Sequence, residues 1–92
     1  MVRLTRAKER ALRKPRDNRR GFVMRVSGFS EEAQHFDIAD PLFDRGRHID
    51  FLVAAGLLAA GTWWNQYVLT DRGAAVLADL DAHRARWLER AA

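Results

Sequence analysis

The chain is predicted to be α+β: a few short strands in a small sheet, covered by helices. Three observations predict it. Asp40-Pro41 is a clear helix start, with a capping carboxylate ahead of a proline at the first helical position. "QYVLT" (66–70) is a β-prone stretch preceded by the turn-forming Gly61 and Asn65. The last twenty residues repeat apolar positions at helical spacing. Strands this short need one another and a helical layer to be stable. At 92 residues the chain makes one domain, with a basic N-terminal segment over 1–25.

The elements follow in order. "LTRAKERALRK" (4–14) reads as the first helix, with Thr5 as N-cap and Ala7, Ala11 and Leu12 near one face. Pro15 disfavours its continuation, and "PRDNRRG" reads as a loop. In "GFVMRVSGF", Phe22, Met24 and Val26 alternate with Val23 and Arg25, a strand pattern. Ser30 followed by Glu31 and Glu32 starts a short helix over roughly 31–37. From Asp40-Pro41 a longer helix carries Leu42, Phe43, Gly46, Ile49, Leu52 and Val53 on one stripe and stops at Gly56. Alternatively, Gly46 divides a short turn from the main helix, with Asp44 as a second cap. A hairpin then turns around 61–65. The last helix starts at Thr70 or Asp71 and runs towards Arg90, with Val76, Leu77, Leu80, Trp87 and Leu88 on its stripe and Arg84 among them.

Composition narrows the function. Without cysteine there is no disulfide and no thiolate metal site, and His35, His48 and His83 are too scattered for a helical metal pair. No metal or other cofactor is expected. "FLVAAGLLAAG" is eleven residues, too short to span a bilayer, and the charged start leaves no room for a signal-peptide apolar segment. The expectation is a cytoplasmic protein with no membrane contact. Residues 1–25 hold ten Lys/Arg against Glu9 and Asp17, a net of +8; residues 26–92 hold six against ten acidic residues, a net of −4. A basic end on an acidic body favours a polyanion partner. A solvated arginine-rich helix would leave the same pattern.

"HIDFLVAAGLL" followed by "YVLTDRGAAVL" resembles the winged helix-turn-helix family of bacterial and phage regulators. In that family a recognition helix ends in Gly-Leu, a β-hairpin wing follows, and a Tyr-x-Leu-Thr-x-x-Gly return strand leads into the next helix. Gly56, Leu57, Tyr67, Leu69, Thr70 and Gly73 match. The resemblance covers residues 30–80, and "LTRAKERAL" is similar to the family's first helix. It implies a three-helix core, a small antiparallel sheet with a short wing, and a C-terminal helix. It also implies a DNA-binding transcription regulator. Winged helices serve as protein-docking modules too. This sequence departs from the pattern: Asp40, Asp44 and Asp50 offset Arg45, Arg47 and His48 in the recognition region, and the wing tip is aromatic.

The candidate DNA-binding residues are Arg16, Arg19 and Arg20 in the basic loop region, Arg45, Arg47 and His48 at the recognition helix, and Asn65 and Gln66 at the wing. A bidentate arginine reads guanine, whereas Arg45 and Arg47 paired with Asp44 and Asp50 would only decorate a solvated face. The wing carries Trp63 and Trp64, which cannot both face the core if they lie on a strand. The resemblance implies that Tyr67 and Leu69 face inward; counting back by twos from them places Trp63 inside and Trp64 outside, unless a turn at Asn65 resets the count. An exposed Trp64 is the candidate partner-binding residue for a protein pocket. Ser27 and Ser30 lack a His-Asp setting and no phosphate loop is present, so no enzymatic activity is expected. Two classes remain: a nucleic-acid-binding regulator on double-stranded DNA, and a protein-docking adaptor. Val76, Leu80, Trp87 and Leu88 also offer a surface for a homodimer through the C-terminal helix.

Overall fold

A computed structural model describes residues 4–26 and 40–91. Helix α1 spans Arg6–Asp17, strand β1 Phe22–Val26, β2 Phe43–Arg45, helix α2 Gly46–Ala54, β3 Leu58–Ala60, β4 Gln66–Leu69 and helix α3 Asp71–Ala91. The helix expected over 31–37 lies outside the described residues. The sheet is mixed, not purely antiparallel, in the order β2-β1-β4-β3. Its parallel pair is β1 with β2, where Met24 faces Phe43 and Val26 faces Arg45. β1 and β3 both run antiparallel to β4, Val23 facing Tyr67 and Ala60 facing Tyr67 from the other side.

One face of this sheet meets the helices. Ala11 and Leu12 of α1, Val23 of β1, Ile49 and Leu52 of α2, Leu57, Leu58 and Leu77 form the buried core, with Tyr67 and Leu69 packed against it. The inward positions of β1 are therefore those of Val23 and Arg25. On β4 they are Tyr67 and Leu69, the positions that the winged-helix resemblance implies.

Capping follows the residue chemistry at both ends of the chain. Thr5 Oγ1 accepts the Lys8 N–H at 3.3 Å. Thr70 Oγ1 accepts the Gly73 N–H at 3.0 Å and donates to the Gly56 carbonyl at 2.7 Å, tying the start of α3 to the end of α2. Gly56, at φ +77°, provides the left-handed stop expected there. Gly73 is required for a different reason. A Cβ at this position would lie 2.2 Å from the Leu57 carbonyl oxygen, so the helix approaches that backbone as closely as it does only with glycine.

Three expectations are corrected. Helix α1 does not stop at Pro15 but continues to Asp17; the proline sits in the last turn with its ring buried, and Asn18 N–H donates to the Lys14 carbonyl at 3.0 Å. Residues 43–45 are strand, not helix. Asp40 does cap, accepting the N–H groups of Leu42 at 2.8 Å and Phe43 at 3.3 Å, but the chain then extends, and Leu42 gives its carbonyl to Met24 N–H. The helix begins only at Gly46. Third, Trp63 is 67% exposed and Trp64 85%, so neither is core. Residues 62–65 are a turn, and the strand's two-residue alternation does not extend through it.

Candidate nucleic-acid interface

The strand registers sort the candidate residues into two groups at opposite ends of the sheet. Asn18 donates from Nδ2 to the carbonyls of Phe22 and Pro41, which fixes Arg19 and Arg20 beside the first residue of β1. At the far end of β1, Arg25 N–H donates to the Asn65 carbonyl at 2.8 Å and Val26 faces Arg45. Four residue steps separate these ends, about 13 Å.

The second end holds most of the candidates. The hairpin turn is organised by Gln66: its Oε1 accepts from the N–H groups of Thr62 at 2.9 Å and Trp63 at 3.2 Å. Gln66 N–H donates to the Trp63 carbonyl and Gly61 N–H to the Gln66 carbonyl. Gln66 thus uses its amide oxygen within the turn, and both indoles stand on a well-bonded loop.

The charge of this end differs from what the sequence alone implies. Asp44 is completely buried: its Oδ2 lies 2.9 Å from Lys14 Nζ, and its Oδ1 accepts the Arg45 N–H at 2.7 Å and meets His48 Nδ1 at 2.8 Å. Asp50 forms a two-point ion pair with Arg25 at 2.8 and 3.0 Å. Asp44 is thus engaged inside the fold, whereas Asp50 is held in an exposed pair with Arg25. Arg45 and Arg47 remain, exposed at the start of α2 and without an ion pair among the described residues. His48, by contrast, has its ring buried against Asp44 and does not present itself to a partner.

At the first end the basic loop region is partly neutralised. Arg16 bonds Asp17 and Asp81, each at 2.8 Å, and Arg13 reaches Asp81 at 2.8 Å. Those two guanidiniums hold the Asp81 carboxyl down at about 2 from its ordinary 3.8, the bond from Arg13 being the larger cause. Arg13 is raised in turn, chiefly by Asp81, and Arg16 chiefly by Asp17. Arg84 reaches Glu9 at 3.1 Å, so α1 and α3 lie antiparallel, joined by charge. Arg19 and Arg20 stay exposed.

Helix α3 continues beyond this contact. Leu77 is core and Leu80 half-buried, but Trp87 is 62% and Leu88 57% exposed. With His83 and Arg84, Leu80, Trp87 and Leu88 line an open depression.

Sequence reasoning missed the Lys14–Asp44–His48 cluster. Lys14 reads as one more charge of a basic helix, and nothing local pairs it with an aspartate on a distant strand. No further His, Cys, Asp or Glu completes a metal-binding group with these among the described residues. No known family model, curated protein or solved structure matches this chain.

Proposed function

We propose that this chain is a non-enzymatic, cytoplasmic winged-helix protein that binds double-stranded DNA and regulates transcription. The observation that carries this reading is the burial of Asp44 against Lys14 and the pairing of Asp50 with Arg25, which leave Arg45 and Arg47 exposed and without an ion pair among the described residues at the head of α2. The strand order β1-β4-β3, with α2 leading directly into the β3–β4 hairpin, supports the winged-helix assignment. In this reading α2 lies in the major groove with Arg47 towards base edges, Arg45 and Asn65 meet the backbone, and Arg19 and Arg20 supply phosphate contacts at the other end of the sheet.

An electrophoretic titration against random duplex DNA at two salt concentrations tests it. Each phosphate contact removed should reduce the salt slope by about 0.9, so Arg45→Ala should lower it by about one, whereas Arg47→Ala should cost about 1–3 kcal/mol of base discrimination. An unchanged slope would refute the assignment. A protein-docking role is the second reading, favoured by the exposure of both wing tryptophans.

The same protein is proposed to pair with a second copy through α3. Asp79 lies in the first half of the helix and Arg86 and Arg90 in the second, so an antiparallel two-fold contact brings opposite charges together. It also covers Leu80, Trp87 and Leu88. A monomer mass independent of concentration in sedimentation would end this proposal.

A further inference from the structure

Resting on the nucleic-acid reading, the geometry points to a more specific ligand at the wing. We propose that Trp63 and Trp64 stack on unpaired bases, so that the protein prefers DNA in which a single strand adjoins a duplex. Two adjacent indoles, 67% and 85% exposed, are more than a duplex can use, because its bases are already stacked on one another. Unpaired bases offer free flat faces, and an aromatic ring takes any of them.

The surroundings fit a strand of phosphates better than an apolar protein pocket. The turn itself, residues 62–65, is uncharged. Among the described residues, the charges of this sheet end are Arg25, Arg45 and Arg47, offset at the surface by Asp50, because Asp44 is buried against Lys14. Strand spacing of about 4.8 Å puts the backbones of Asn65 on one side of β1 and Arg45 on the other about 10 Å apart. An extended strand crossing this end meets guanidiniums and indoles together. The four hydrogen bonds through Gln66 hold the turn before any ligand arrives, so little ordering is required on binding.

The test compares a blunt duplex with the same duplex carrying an unpaired thymidine tail. Affinities are read by electrophoretic titration of the full chain, and in a Trp87→Phe background the indole emission reports only the wing. The tailed DNA should bind about tenfold more tightly or better, with quenching of the indole emission. Trp63→Ala with Trp64→Ala should abolish that preference while blunt-duplex affinity stays within about twofold. Trp64→Ala alone, which removes the more exposed ring, should lose part of it and serves should the double variant unfold. Equal affinity for both DNAs, or a tail preference that survives the substitutions, overturns this proposal and leaves duplex binding standing. Failure to bind either DNA overturns both.

Discussion

Lys14 Nζ lies 2.9 Å from Asp44 Oδ2, and both side chains are buried, which ties the last turn of α1 to the inward position of β2. The Lys14 ammonium also donates to the Phe43 carbonyl. An ion pair in such a place contributes little net stability when complete, but its disruption strands a charge. Lys14→Met should therefore destabilise the fold by about 3–5 kcal/mol in urea titration. Adding Asp44→Leu should recover only part of this, because His48 and the Arg45 N–H also lose their partner. A Lys14→Met protein as stable as the parent would mean that the aspartate does not depend on the lysine.

Gly73 sets the distance between α3 and the end of α2. In Gly73→Ala the new methyl would meet the Leu57 oxygen at 2.2 Å and Leu69 Cδ1 at 2.8 Å, with backbone on one side and core on the other. The expected cost is about 1–3 kcal/mol or more, read from chemical denaturation. Gly56→Ala has space, its nearest neighbour being the Arg72 side chain at 3.8 Å, so only its left-handed φ opposes the change. That variant should lose about 1–2 kcal/mol.

The wing tryptophans should matter little for stability. Trp63→Ala and Trp64→Ala are both expected within about 0.5 kcal/mol of the parent in thermal unfolding. Leu12→Ala, a fully buried deletion, should cost about 2–5 kcal/mol. A large loss at Trp63 alone would restore it to the core and remove it from the proposed DNA-binding surface.

Asp81 gives the fold an acid-sensitive clamp between α1 and α3. Its carboxyl is lowered in the folded protein to about 2 from 3.8, so the stability it contributes is present above pH 3.8 and is lost as pH falls through about 2. Comparison of the parent with Asp81→Asn should show a difference in melting temperature at neutral pH that narrows across this window. A constant difference down to pH 2 would exclude the clamp. Arg13 and Arg16 stay charged throughout this window.

Local chemistry was legible in the sequence; long-range pairing was not. Thr5, Thr70 and Gly56 work as caps and stops because each acts on its own neighbours, and the β3–β4 hairpin is likewise a local structure. Phe43–Arg45 became a strand because β1, far away in the chain, offered it a parallel partner, a pairing that no helical stripe can disclose. Trp63 was misplaced because alternation holds along a strand and lapses in a turn. The charge asymmetry was real in sequence but overstated at the surface, since Lys14, Arg13, Arg16 and Arg25 are matched by Asp44, Asp81 and Asp50. Of the candidate DNA-binding residues, His48 lies inside and Arg16 is paired, whereas Arg19, Arg20, Arg45 and Arg47 stand exposed.

The sheet order also dictates a history of assembly. β3 and β4 join residue 60 to residue 67, whereas β1 joins residue 22 to residue 68 and closes about half of the chain into a loop. A local hairpin forms in microseconds, but a pairing of that separation must wait for the intervening chain to be organised. Leu58→Ala should then slow folding in stopped-flow experiments, while Val23→Ala should chiefly speed unfolding. The aromatic turn is therefore expected to form before β1 docks and brings Arg25 and Arg45 beside it.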